Sequence, residues 1–173
     1  MSELLKVGER APDFTLPSHA GAAAGEKEET FTLSVLRGKN VILAFYPADW
    51  SAVCGDQLTL YNELLPMFEK QKATLLGISV DGAFCHAAFR EARGYKMTLL
   101  SDFEPKGEVS KKYGVYRDGD GFSERALFVI DADGVIRYSY VSPIGVNPGA
   151  KEILETLKEI QADGREQGAK ANV

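Results

Sequence analysis

Residues 40–57 read NVILAFYPADWSAVCGDQ, and the change of pattern partway through this stretch decides the fold. Asn40 to Tyr46 is a nearly continuous apolar run, as expected of a strand buried on both faces of a sheet. Beyond Pro47 and a short loop, Leu58, Tyr61, Leu64, Leu65 and Phe68 recur at i, i+3, i+4 spacings, the signature of an amphipathic helix. Pro66 lies inside that helix and is expected to kink it, because proline removes a backbone donor and crowds the preceding turn. A buried strand feeding a helix is the unit of open α/β sheets, which place their sites at the carboxyl ends of their strands. Cys54 then falls in the first helical turn, where unpaired backbone N–H groups and the helix dipole favour a thiolate over a thiol. Positions of this kind bring cysteine pKa values from about 8.5 into the range ~3.5–7.5. A thiolate so placed is a nucleophile near neutral pH.

Working outward, the rest of the chain also alternates strand-like and helix-like segments, so the fold class is α/β around a central sheet. Phe14 to Leu16 and Phe31 to Leu33 read as short strands around a polar loop at Gly21 to Glu29. Ala73 to Val80 (ATLLGISV) is a second central strand, followed by a helix over Ala83 to Arg93. Leu99 and Leu100 form a short strand, and Pro105 to Tyr113 a short helix with proline near its start. Ala126 to Ile130 and Val135 to Val141 flank a turn at Asp131 to Gly134 and predict a hairpin. Ala150 to Ile160 closes the fold as an amphipathic helix. The expected organisation is one domain over residues 1–162, with a polar, frayed tail over residues 163–173.

The composition agrees with that reading. The chain has 173 residues, 45% of them apolar and 26% charged, enough for a full core without disulfides or a structural metal. A net charge of −5 argues against nucleic acid or an anionic membrane as partner, since both select basic surfaces. No apolar run reaches the roughly 20 residues of a membrane helix, and the N-terminus MSELLKVGERAPDF lacks the features of a secretory signal. The expected location is therefore the cytoplasm. There thiols stay reduced, so each of the two cysteines is either a small buried hydrophobe or a reactive group.

Pro47, Ser51 and Cys54 reproduce the spacing Pro-x-x-x-Thr/Ser-x-x-Cys, and on these residues the chain resembles the peroxiredoxins. The resemblance is to the bacterial branch of the alkyl hydroperoxide reductase E and bacterioferritin-comigratory types. It extends to Ala11-Pro-Asp-Phe14, Leu36-Arg-Gly-Lys39, Gly77-Ile-Ser-Val-Asp81 and Arg125-Ala-Leu-Phe-Val-Ile-Asp131. It implies a thioredoxin-like fold with peroxiredoxin extensions, in which a central mixed sheet is flanked by helices. It also implies a thiol peroxidase that reduces hydrogen peroxide or organic hydroperoxides without metal or other cofactor. In this reading Cys54 is the peroxidatic thiol, Ser51 binds the peroxide oxygen, Arg125 holds the thiolate, and Pro47 shields the sulfur from water. Gln57 stands where relatives often carry a residue that orients the arginine. Plainer roles stay open beside these: Ser51 as helix N-cap, Arg125 as a solvated charge at a strand edge, Trp50 as core or as pocket wall.

Cys85 begins the helix after Ser79-Val-Asp81. A sulfenic acid condenses with a nearby thiol, and the resemblance suggests Cys85 as the resolving partner, in an intramolecular disulfide reduced by thioredoxin or a similar thiol donor. The alternative for Cys85 is a small apolar side chain on a helix face. Homodimers are common in the family. His19 and His86 carry no zinc-ligand spacing and are not needed as bases, since a thiolate attacks already deprotonated. Gly119, Gly121 and Gly134 mark turns and form no phosphate-binding fingerprint. Two rival readings share much of this pattern. A thioredoxin-type oxidoreductase needs Cys-x-x-Cys, where this chain has Cys54-Gly-Asp-Gln57. A redox-regulated binding or chaperone protein would accumulate oxidised Cys54 without turnover.

Overall fold

The computed structural model describes residues 3–18 and 29–171. His19 and most of the polar loop that begins at Gly21 lie outside them.

The central sheet has five strands: β3 (Asn40–Phe45), β4 (Ala73–Ser79), β5 (Thr98–Ser101), β8 (Arg125–Ile130) and β9 (Ile136–Ser142). Their order is β5-β4-β3-β8-β9, with β3, β4 and β5 parallel and β8 and β9 antiparallel to their neighbours, so the sheet is mixed. Alternation along each strand divides the core in two. Ile42, Ala44, Leu75, Leu99, Leu127 and Val129 face one side, where α1 (Ala52–Lys70), α2 (Ala83–Arg93) and α4 (Lys151–Ala171) pack through Leu58, Phe89 and Ile153. Val41, Leu43, Phe45, Leu76, Ile78 and Phe128 face the other, against Phe14, Leu33, Val109 and Tyr113. That is why the run in β3 is continuously apolar: neither of its faces meets water.

On the second side, Phe45, Phe128 and Tyr113 form a ring cluster with centroids 5.2 to 5.8 Å apart. Each such pair adds about 0.5–1.5 kcal/mol to its burial. This side also carries the N-terminal hairpin of β1 (Thr15–Pro17) and β2 (Thr30–Thr32), and α3 (Glu108–Lys112). Gly114 follows α3 with φ +72, and a Cβ there would lie 2.2 Å from the Glu3 carbonyl oxygen. Gly114→Ala is therefore expected to destabilise the fold by ~1–3 kcal/mol, measured by urea denaturation.

The structure departs from the sequence expectations in several places. The helix expected from Pro105 starts only at Glu108, where the Asp102 carboxylate accepts the backbone N–H groups of Val109 and Ser110. A two-residue hairpin, β6 (Tyr116–Arg117) with β7 (Phe122–Ser123), occupies a stretch read only as turns. Pro66 does lie within helix α1, where the sequence placed it, and the helix keeps one run of 19 residues around it. The tail expected to fray from Asp163 is helical to Ala171. Asp163 pairs with Arg137 of β9, and the residues that follow are mostly helix formers that need no core contact. No helix among the described residues is long and apolar enough to cross a membrane.

Candidate active site

Two elements that are distant in sequence meet at the carboxyl end of β3. Antiparallel pairing sets Phe45 opposite Ala126, so Arg125, the first residue of β8, stands beside the end of β3. Alternation turns Arg125 to the same face as Leu127 and Val129, the face that α1 covers. Cys54 occupies the third helical position of α1 after the N-cap Ser51, and it is fully buried.

Arg125 is 2% exposed, and its guanidinium is fully engaged. Nε and Nη2 donate to the Ile144 carbonyl at 3.0 and 2.9 Å. Nη1 donates to Gln57 Oε1 at 2.7 Å. Nη1 and Nη2 each donate to Cys54 Sγ at 3.4 Å. These contacts use all of the donors that a guanidinium carries. Gln57 is itself fixed, since its Nε2 donates to the Tyr61 hydroxyl at 3.2 Å, which donates to the Gly149 carbonyl at 2.9 Å. None of the ion pairs among the described residues involves Arg125. Apart from Cys54 Sγ, the partners of this buried cation are neutral oxygens, an arrangement that is costly unless an anion completes it.

Ser51 holds the N-cap position with extended backbone, but its side chain makes no capping hydrogen bond. The cap reading thus holds for the backbone and not for the hydroxyl. Pro47 is buried just after β3. Trp50 is not core: it is 50% exposed, packs tilted against Phe89 with centroids 5.0 Å apart, and takes a left-handed φ of 67.

Both cysteines are free, and Cys85 occupies the same helical position in α2 that Cys54 holds in α1. Their surroundings are opposite in charge. One oxygen of Asp49, one of Asp81 and Cys85 Sγ lie within 4.8 Å of one another. Burial, then the Asp49 and Asp81 carboxylates, push the Cys85 thiol up to about 11. Here desolvation and nearby anions outweigh the helix dipole. The carboxylates of this cluster already accept hydrogen bonds. Asp49 takes them from Tyr46 Oη at 2.7 Å and shares one with His86 Nδ1 at 2.7 Å. Asp81 takes them from the Asp49 backbone N–H at 2.8 Å and Ser79 Oγ at 2.5 Å. His86 is fully buried and bonded through Nε2 to the Leu100 carbonyl at 3.1 Å.

The family model that describes the AhpC/TSA family matches residues 7–139. The chain belongs to the AhpC/TSA family. It is therefore a peroxiredoxin, a thiol-dependent peroxidase. It is 36% identical to the alkyl hydroperoxide reductase E of Mycobacterium tuberculosis over 143 residues, covering 82% of this chain and 89% of that one. It is also 36% identical to a chloroplastic 2-Cys peroxiredoxin of Hordeum vulgare, over 92% of this chain and 77% of that one. The crystal structure of the reduced 2-Cys peroxiredoxin of Plasmodium vivax superposes with a TM-score of 0.82 at 31% identity, covering 93% of this chain and 84% of that one. The thioredoxin-like mixed sheet is thus common to this peroxiredoxin and its solved relatives.

The sequence offered no sign of the Ile144 carbonyl, because a backbone acceptor leaves no mark on residue type. Tyr61 had been read only as part of an apolar face. Asp49 lay inside the quoted stretch without a role.

Proposed function

We propose that Cys54 is the peroxidatic thiol of this peroxiredoxin, attacking the terminal oxygen of hydrogen peroxide or an organic hydroperoxide. The observation that carries the reading is the buried guanidinium of Arg125, which donates twice to the Cys54 sulfur. A fixed cation complements the thiolate and stabilises the negative charge that moves onto the peroxide oxygens during attack. Ser51 offers a hydroxyl to the bound peroxide, Pro47 limits water at the sulfur, and Gln57 holds Arg125 in place. Water or an alcohol leaves, and Cys54 becomes a sulfenic acid.

Cys85 then resolves that sulfenic acid as an intramolecular disulfide, and thioredoxin or a similar thiol donor reduces it. Bridging needs Cα atoms within about 7 Å, and local unwinding around either helix start would serve to bring the two sulfurs together. A cycle of this kind requires a reducing compartment, and the cytoplasm supplies one. A homodimer that covers exposed apolar side chains such as Trp50 and Phe84 completes the reading.

The test is intact mass and thiol count after one equivalent of hydrogen peroxide, on wild type and Cys85→Ser. The wild type is expected to lose both thiols and about 2 Da, and the variant to gain about 16 Da as a sulfenic acid. A wild type that instead gains one oxygen and keeps the Cys85 thiol is a one-cysteine enzyme served by an external thiol.

A further inference from the structure

The segment between β3 and α1 carries Pro47 and Ser51, and Asp49 stands midway between them. Asp49 is tied down through both its backbone and its side chain. Its N–H donates to Asp81 Oδ2 at 2.8 Å. Its Oδ1 accepts from Tyr46 Oη at 2.7 Å, and its Oδ2 lies 2.7 Å from His86 Nδ1. His86 is held in turn at Nε2, 3.1 Å from the Leu100 carbonyl of β5. A carbonyl only accepts, so Nε2 carries a hydrogen. Two lone pairs would repel at so short a distance, so a second hydrogen lies between Nδ1 and Oδ2. Tyr46 and the side chains of Asp49 and His86 are fully buried.

We propose that Asp49 and His86 are positioning residues for the attack of Cys54 on peroxide: they clamp the segment that carries Pro47 and Ser51 onto α2 and β5. This role rests on Cys54 as the peroxidatic thiol, with Ser51 and Pro47 at its pocket.

Three observations support it. First, a buried pair of this kind is a poor source of stability, since replacing one with apolar side chains is often neutral or stabilising. What its hydrogen bonds add is a fixed direction. Second, the bonds that leave the segment end on anchored groups. His86 carries one of them from α2 on to β5. Asp81, just before α2, receives the other, and it is held by Ser79 Oγ at its carboxylate and by Ser101 Oγ at its carbonyl, at 2.5 and 2.6 Å. Third, the residue after Asp49 is strained. Trp50 is a bulky side chain at φ 67, a conformation that persists only where the surroundings over-determine it. Asp49 fixes the backbone on one side of it, and packing on Phe89 fixes the ring. Ser51 comes next as the N-cap of α1, with Cys54 in the first turn, so a shift at Asp49 passes directly to the hydroxyl and the sulfur.

Trp50 is the only tryptophan in the chain, so its fluorescence reads the segment directly. The test compares acrylamide quenching of that fluorescence, and the rate of Cys54 oxidation by hydrogen peroxide, in wild type, Asp49→Ala and Asp49→Asn. In Asp49→Ala the buried groups can stay paired, because Tyr46 Oη lies 3.4 Å from His86 Nδ1 and can donate to it, while the clamp is lost. Cys54 oxidation is expected to slow by about 10–10²-fold, the scale of a small misplacement. Trp50 is expected to open to the quencher, with the far-UV circular dichroism unchanged. Asp49→Asn is expected to stay within about threefold of wild type, since its amide N–H donates to Nδ1 and its carbonyl accepts from Tyr46. If Asp49→Ala does not fold, Tyr46→Phe removes one bond to Asp49 and keeps the shape, and it is expected to slow oxidation by about two- to tenfold. Oxidation as fast as wild type in Asp49→Ala, or in Tyr46→Phe where that variant is needed, overturns the proposal and leaves Cys54 as the peroxidatic thiol. So does Asp49→Asn as slow as Asp49→Ala, or a slower rate with the quenching of Trp50 unchanged. A wild type in which Cys54 is not oxidised overturns the peroxidatic reading itself.

Discussion

Cys54→Ser is expected to lower donor-coupled peroxide consumption by roughly 10⁴-fold or more, the scale on which an enzyme loses its nucleophile. Serine keeps the shape of the side chain and gives up the chemistry. A serine hydroxyl stays protonated at neutral pH, whereas the proposed reaction needs the polarizable anion that sulfur can offer to the weak O–O bond. The fold has little reason to change, because Arg125 keeps its contacts to Ile144 and Gln57 at 2.7 to 3.0 Å. Unchanged peroxide consumption in this variant would mean that another group carries the reaction.

Arg125→Met is expected to lower kcat/KM for hydrogen peroxide by about 10²–10³, as the loss of a transition-state donor does elsewhere. Stability and activity should separate in this variant. Methionine removes a buried cation along with its hydrogen bonds, and replacing a buried charge with an apolar group is often near neutral for folding. The Ile144 carbonyl and Gln57 Oε1 lose a donor, which offsets part of that. Arg125→Lys retains the charge without the planar fork and is expected to recover only part of the rate. Steady-state kinetics beside urea denaturation reads both quantities. Equal loss of stability and rate in Arg125→Met would assign the arginine to the fold and not to the reaction.

Much of the fold was legible because its signals are local. The run over Asn40 to Tyr46 declares a strand buried on both faces, and the helix over Ala83 to Arg93 starts and stops where its pattern does. The short hairpin of β6 and β7 was not legible, since strands of two residues carry no periodicity. The helical tail was missed for another reason: the residues after Ile160 are polar, and a helix that buries no continuous stripe writes no apolar period. In the site, the spacing of Pro47, Ser51 and Cys54 is local and was readable. Arg125 was indicated only by resemblance, because its nearness to Cys54 depends on the pairing of β3 with β8 across the sheet. His86 was passed over on similar grounds. Its partner Asp49 lies 37 positions earlier, and nothing in sequence joins them until the loop and α2 pack together.

The most direct test of the account is to trap the oxidised sulfur. Wild-type protein receives one equivalent of hydrogen peroxide in the presence of excess dimedone, which captures sulfenic acids, and the adduct is mapped by peptide mass spectrometry. The account predicts an adduct on the peptide that contains Cys54 and none on Cys85, with the Cys54 adduct formed much more slowly in Arg125→Met. An adduct on Cys85 instead, or formation at Cys54 that is as fast without the guanidinium, would contradict it.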